Sequence, residues 1–263
     1  MQTTKFYLMA NHLKRHIKST PARLADWLKY FAWLCLLVTA STPACELPAW
    51  QASYNITKYG ASVAQVEMSL QTTGNTAQYR LHTKAVGILA VISKEELTET
   101  SQLKQAADKS WQLIQFSQLR AKDPHRYQQF TLQQSDDQVI ATGEHDDKSF
   151  SLPVQRPVWD RSSVQLALTC DLLADANPRP AYDYSIIDDG NLATYHFEYR
   201  GQENIRIADK KFATLKFERI SGDRSTQFWL APTLNYMPVR IEQYKKGSIH
   251  LRMNLDIPVT ELP

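Results

Sequence analysis

Residues 64–83, AQVEMSLQTTGNTAQYRLHT, decide the fold class. Val66, Met68 and Leu70 alternate with polar neighbours, and after Gly74-Asn75 the two-residue period returns at Tyr79, Leu81 and Thr83. Successive side chains of an extended chain point to opposite faces, so this period sets one row on a core and its partner row in water. Gly-Asn tolerates the positive backbone dihedrals of a tight reversal. The stretch predicts a hairpin within an antiparallel sheet.

The same pattern continues outward in both directions. Upstream, residues 54–58 form a short extended segment ended by Tyr59-Gly60. Downstream, residues 96–103, 111–119, 127–133, 139–142 and 149–154 read as strands, with Ser135-Asp136-Asp137 as a turn. Further strands are expected at 182–187, 192–200, 203–207, 212–220, 225–230, 239–244 and 249–255. Asp188-Asp189-Gly190-Asn191, Ser221-Gly222-Asp223 and Lys245-Lys246-Gly247 supply reversals between them. Repeated adjacent hairpins predict a mainly β protein: a large curved antiparallel sheet, a sandwich or an incomplete barrel.

Two segments break the alternation. In WDRSSVQLALTCDLLA, residues 159–174, Val164, Leu166, Leu168, Leu172 and Leu173 fit one side of a helix. Asp160 or Ser162 can cap its free N-terminal donors, and Asn177-Pro178 and Pro180 make continuation costly. A single central helix is expected over residues 162–174, as an insertion or cover between two sheet regions. The run AVGILAVI, residues 85–92, has no polar alternation and is open to three readings: interior strand, short helix or exposed apolar loop. It is also the first place to seek the rim or floor of a hydrophobic groove.

Charge and composition narrow the function classes. The chain has 263 residues, 43% hydrophobic and 22% charged, which suits a folded domain and not a disordered one. Its net charge of +3 is concentrated at the start: six basic residues and one acid precede Cys45, leaving −2 for the remainder. That remainder lacks the basic surplus of a general nucleic-acid binder. The start itself reads as a basic leader, an apolar run YFAWLCLLVTA at residues 30–40, and the small-residue stretch STPAC. This order describes a secretory signal. Residues 1–44 are therefore expected to be a signal peptide or N-terminal membrane anchor, and residues 45–263 a single β-rich domain in the periplasm, free or attached to a membrane. Ala44-Cys45 also partly resembles a lipoprotein box, which adds lipid attachment at Cys45 as a third fate. An oxidising compartment permits a Cys45–Cys170 disulfide, but spacing alone does not establish it.

Several longer motifs resemble one bacterial family, the domain of unknown function 3108. YNITKYGASVAQVEMSL carries Tyr54, Tyr59, Gly60 and Glu67; WDRSSVQLAL carries Asp160, Ser163 and Leu166. FATLKFERI and TQFWLAPTLNYMPVRIEQ then supply Phe212, Thr214, Lys216, Glu218, Trp229, Ala231, Pro232, Tyr236, Pro238, Val239, Arg240 and Ile241. The resemblance covers residues 52–256 and implies an exported envelope protein, with no biochemical activity following from membership. Asn235 stands where the family often has glycine, and asparagine tolerates the left-handed turn that such a position demands.

Candidate ligand-binding residues are Trp229, Tyr236, Arg240 and Asp160: aromatic faces and a guanidinium suit a lipid head or glycan. The same residues also fit plain sheet packing, with Arg240 paired to Glu218 or Glu242, and Asp160 as a helix cap. The acidic pairs Asp136/Asp137, Asp146/Asp147 and Asp188/Asp189 fall between extended runs and read as solvated turns. No HExxH, GxSxG, P-loop or dinucleotide glycine pattern occurs, so no cofactor, metal or catalytic residue is assigned. The leading expectation is a non-catalytic envelope protein that binds an amphipathic lipid or glycan. A protein-protein scaffold in the envelope and a hydrolase of envelope polymer or lipid are the alternatives.

Overall fold

Hairpin turns of two residues set the architecture. Tyr59-Gly60, Asp189-Gly190 and Lys246-Gly247 all hold both central residues at positive φ, and Asp146-Asp147 does so without a glycine. That geometry matches the twist of flanking antiparallel strands. A computed structural model describes residues 45–92, 95–135, 137–175 and 177–261. The export segment expected at residues 1–44, and Asp136 of one expected turn, lie outside the described residues.

The chain runs through β1 (Trp50–Lys58), β2 (Ala61–Thr73), β3 (Thr76–Ala85), the short helix α1 (Ile88–Ile92), β4 (Glu96–Gln105), β5 (Trp111–Arg120), β6 (Gln128–Ser135), β7 (Gln138–His145) and β8 (Lys148–Val154). The two-residue β9 (Trp159–Asp160), helix α2 (Val164–Ala174), β10 (Ala181–Asp188), β11 (Asn191–Ile207), β12 (Lys210–Ser221), β13 (Arg224–Ala231), β14 (Met237–Lys245) and β15 (Ser248–Glu261) follow. All strands join one 15-stranded sheet in the order 8-7-6-5-4-3-2-1-15-14-13-12-11-10-9. Two meanders thus meet where the first strand pairs with the last. Every pairing is antiparallel except β9 with β10.

One continuous sheet rules out the sandwich reading and leaves the rolled one. Its two ends meet through side chains, not backbone ladders. Ile187 of β10 packs in a cluster with Leu113 and Phe116 of β5 and Val154 of β8, and the Asp189 amide donates to Gln128 Oε1 at 3.3 Å. At this seam Gly190 combines φ of +71° with a position where a Cβ would lie 3.3 Å from both His145 Cβ and Phe150 Cδ1. Only glycine satisfies both demands without strain.

Helix α2 fills the rolled sheet. Val164, Leu166, Ala167, Leu168, Thr169 and Leu172 are all buried, and they pack with Tyr54, Met68, Phe197 and Phe217 from four different strands. A helix that is apolar on most sides of its first turns belongs in an interior, so it is a plug rather than an external cover. The Cys45–Cys170 disulfide ties its C-terminal end to the segment ahead of β1. That sulfur is therefore not free for thioether lipidation. The expected strands at 192–200 and 203–207 are one strand, β11, whose pairing with β12 shifts between Tyr199 and Gln202 around Gly201. The apolar run at 85–92 is resolved as the single turn of α1, none of whose residues is buried.

Because the strands meander, alternate connections fall at opposite ends of the roll. The turns at 59–60, 146–147, 189–190, 222–223 and 246–247, with α1, share the end where α2 begins. The disulfide and the turns at 74–75 and 208–209 share the other.

Candidate interior binding cavity

Beside the first turns of α2 the sheet leaves a cavity of about 250 Å³. Inward positions of nine strands line it. Met68, Leu81, Phe197, Phe228, Leu230 and Met253, with Leu168 of the helix, make its apolar wall. Its polar lining is Glu99, Arg161, Ser162, Gln165, Tyr195, Arg219, Thr226 and Gln243. Several of these lie close to the turns of the α1 end: Arg219 and Thr226 flank the β12–β13 turn, and Gln243 precedes the β14–β15 turn. The cavity is thus apolar in depth and polar towards one end of the roll.

Two arginines at this polar end differ in their partners. Arg161 faces three carboxylates: Glu99 at 3.5 Å, Asp188 at 3.6 Å and Asp189 at 3.9 Å. Burial opposes the charge on its guanidinium, yet Glu99 and Asp188 together hold its pKa above the ordinary arginine range. The reciprocal effect on Glu99 is weaker than burial, which pushes its carboxyl up. Arg219 instead lies over Tyr195, with its guanidinium carbon 3.9 Å from the ring centroid. Tyr195 is itself fixed by donating to Asp188 Oδ2 at 2.7 Å. Among the described residues no carboxylate forms an ion pair with Arg219. It is the cation at the cavity with charge to offer.

Behind the cavity, β9 and the turn into α2 form a buried polar knot. Asp160 is fully buried; it accepts the Ser162 and Ser163 amides, both at 2.8 Å, and the Ser163 hydroxyl at 2.6 Å. Burial raises its pKa against these hydrogen bonds. The hydroxyl of Tyr79 is buried without a hydrogen-bond partner among the described residues. A carboxylate that accepts two successive amides of the following turn has the geometry of a cap.

Sequence reasoning selected Trp229, Tyr236, Arg240 and Asp160, and the structure brings only part of this set together. Trp229 and Arg240 are direct neighbours across β13 and β14, at positions that alternate with the cavity-lining Phe228, Leu230 and Ile241. They therefore share the outer face. Trp229 is 3% exposed, its indole N–H donates to Glu203 at 2.9 Å, and Lys216 lies 4.7 Å above the ring. Arg240 donates to Asn254 Oδ1 at 2.9 Å and to the Arg206 carbonyl at 3.3 Å. Neither of its expected partners is used: Glu218 pairs with Arg200 and Glu242 with Arg252. Tyr236 follows left-handed Asn235 in the turn after the 3₁₀ segment Pro232–Leu234. Asp160 sits apart, on the inner side. None of the four lines the cavity. Arg219, Tyr195 and Glu99 do, and they were missed because single polar residues on inward strand positions carry no local signature.

The fold is shared with solved structures. A β-barrel-like protein of the domain of unknown function DUF1849 from Brucella abortus superposes with a TM-score of 0.55 at 11% identity, covering 84% of this chain and all of that one. At that identity the likeness concerns the fold alone. No curated protein is significantly similar to the chain. The family model described as "Protein of unknown function (DUF3108)" matches residues 51–256, which include the plug helix, Arg219 and the Trp229–Arg240 pair. With most of its length so matched, the chain belongs to the DUF3108 family of proteins of unknown function.

Proposed function

We propose that the protein is a non-catalytic binder of a single-chain amphiphile with an anionic head, working in the bacterial periplasm. The observation that carries this reading is the pairing of an apolar interior cavity with an arginine that has no ion-pair partner among the described residues: acyl carbons against Met68, Leu168 and Met253, and the head group at Arg219. An apolar wall favours an acyl chain over a glycan, whose hydroxyls would lose their water there without replacement. Size limits the ligand further. A volume of 250 Å³ lies just below the roughly 300–1,000 Å³ of drug-sized sites, which suits one chain and not a two-chain phospholipid. The Cys45–Cys170 disulfide supports an oxidising compartment, in keeping with the export-like start of the sequence.

Displacement of a fluorescent long-chain fatty acid tests the proposal, with its methyl ester as the uncharged control. Arg219→Gln is expected to weaken the acid about tenfold, the loss of about 1.4 kcal/mol of charge-assisted pairing, while leaving the ester unchanged. Leu168→Trp fills the cavity and is expected to abolish binding of both. Fatty-acid binding that survives both substitutions would sink the reading.

A further inference from the structure

We infer that the α1 end of the roll docks on an anionic lipid bilayer. Large exposed apolar side chains are not scattered over this molecule: apart from Leu173, all those among the described residues lie at or near this one end. The densest part is α1. Ile88, Val91 and Ile92 are 75%, 79% and 71% exposed, and Tyr59 in the β1–β2 turn is 87% exposed. Ile249 continues the patch on the β14–β15 hairpin. Strand order makes these positions contiguous, since the β14–β15, β1–β2 and β3–β4 connections are successive hairpin ends along the sheet.

Charge points to the occupant. The same three hairpin ends carry Lys58, Lys84, Lys245 and Lys246, none of which is in an ion pair among the described residues, whereas Glu95 beside α1 is held by Arg120 at 3.2 Å. Apolar side chains that project from a short turn, flanked by uncommitted lysines, combine the two terms that drive interfacial binding: insertion of apolar area and attraction to anionic head groups. A protein partner would need complementary relief over a rim made of separate turns. A bilayer needs only a common level. The polar side of the interior cavity faces this end, so docking would bring the cavity to the membrane surface; the inference itself stands on the rim and not on the cavity.

Flotation of the full chain with phosphatidylglycerol and with phosphatidylcholine vesicles tests it. The protein is expected to float with phosphatidylglycerol vesicles, and the combined Ile88→Asn, Val91→Asn and Ile92→Asn variant to lose at least tenfold in bound fraction. Those side chains are exposed, so the variant keeps its core. Lys245→Glu with Lys246→Glu is expected to remove the preference for the anionic lipid. Leu168→Trp, which blocks the cavity, should leave flotation unchanged, separating this inference from the ligand proposal. An Ile92→Trp variant should show quenching by brominated acyl chains beyond that of the parent protein. Equal flotation of the triple variant, absence of the added quenching, or self-association through the rim without vesicle binding would each overturn the inference.

Discussion

Asp160 is wholly inside the protein and still accepts three hydrogen bonds, one from Ser162 and two from Ser163. Two come from backbone amides that no helical carbonyl can reach, and their loss would leave buried donors unmet, each at about 1–3 kcal/mol. Asp160→Ala is therefore expected to destabilise the protein by about 2–4 kcal/mol in urea unfolding. Asp160→Asn keeps an oxygen for both amides and is expected to recover more than half of that loss. Equal damage from both variants would show that the charge matters and not the cap. This role was legible in sequence as one of two candidates, Asp160 or Ser162; the Asp160 carboxylate caps the turn that leads into the helix, whose own N-cap, Ser163, makes no side-chain capping bond. The role of Arg219 was not. Its neighbours in sequence, Glu218 and Ile220, face the other way, and the tyrosine it lies over is one strand away. Local pattern records which side chains alternate; it does not record which aromatic face meets which guanidinium.

Among elements, the plug helix shows how far periodicity carries. Its existence and length followed from residues 162–174, against Val164–Ala174 observed. Its position inside the roll did not, although the clue was present: apolar residues on most sides of its first turns leave little wet face there. The disulfide fixes one end of this plug across 125 residues of chain. Closing so long a loop removes much of the unfolded chain's freedom, which in the loop-entropy picture is worth about 2–5 kcal/mol. Cys170→Ser is expected to lower stability by that amount, and dithiothreitol should destabilise the parent protein while leaving the variant unchanged. Reductant effects of equal size in both would place the stabilisation elsewhere. The strands were legible individually, apart from the two-residue β9 and from β11. There Gly201 at φ +97° bends one long strand and keeps its ladder with β12 through a register shift, so a residue that reads as a break is a bend.

Over the whole molecule, Arg161 joins the two meanders. Glu99 belongs to the first, Asp188 and Asp189 to the second, and the guanidinium between them spans the place where the rolled sheet closes without a backbone ladder. Sequence pattern predicted the hairpins but not this closure, since contacts between β4 and the β10–β11 turn connect residues about 90 positions apart. Proton linkage gives a way to observe it. Burial pushes Glu99 up from its ordinary 4.5, with Asp160 and Asp188 adding to the rise and Arg161 and Ser162 opposing it. A carboxyl whose folded pKa is raised holds its proton more tightly in the native state. Its stabilising contribution is complete below pH 4.5 and is lost as pH climbs through the higher folded value. Glu99→Gln removes this titration while keeping the shape of the side chain. Stability measured for both proteins from pH 4.5 to 8 should therefore show the parent losing ground to the variant as pH rises. Asp160, buried and shifted in the same direction, titrates in both proteins and largely cancels in the comparison. A difference that stays flat, or that turns in favour of the parent at high pH, would mean that attraction to Arg161 outweighs desolvation and that Glu99 is ionised throughout. In that case the seam is held by a permanent ion cluster, and acid would loosen it from the other direction.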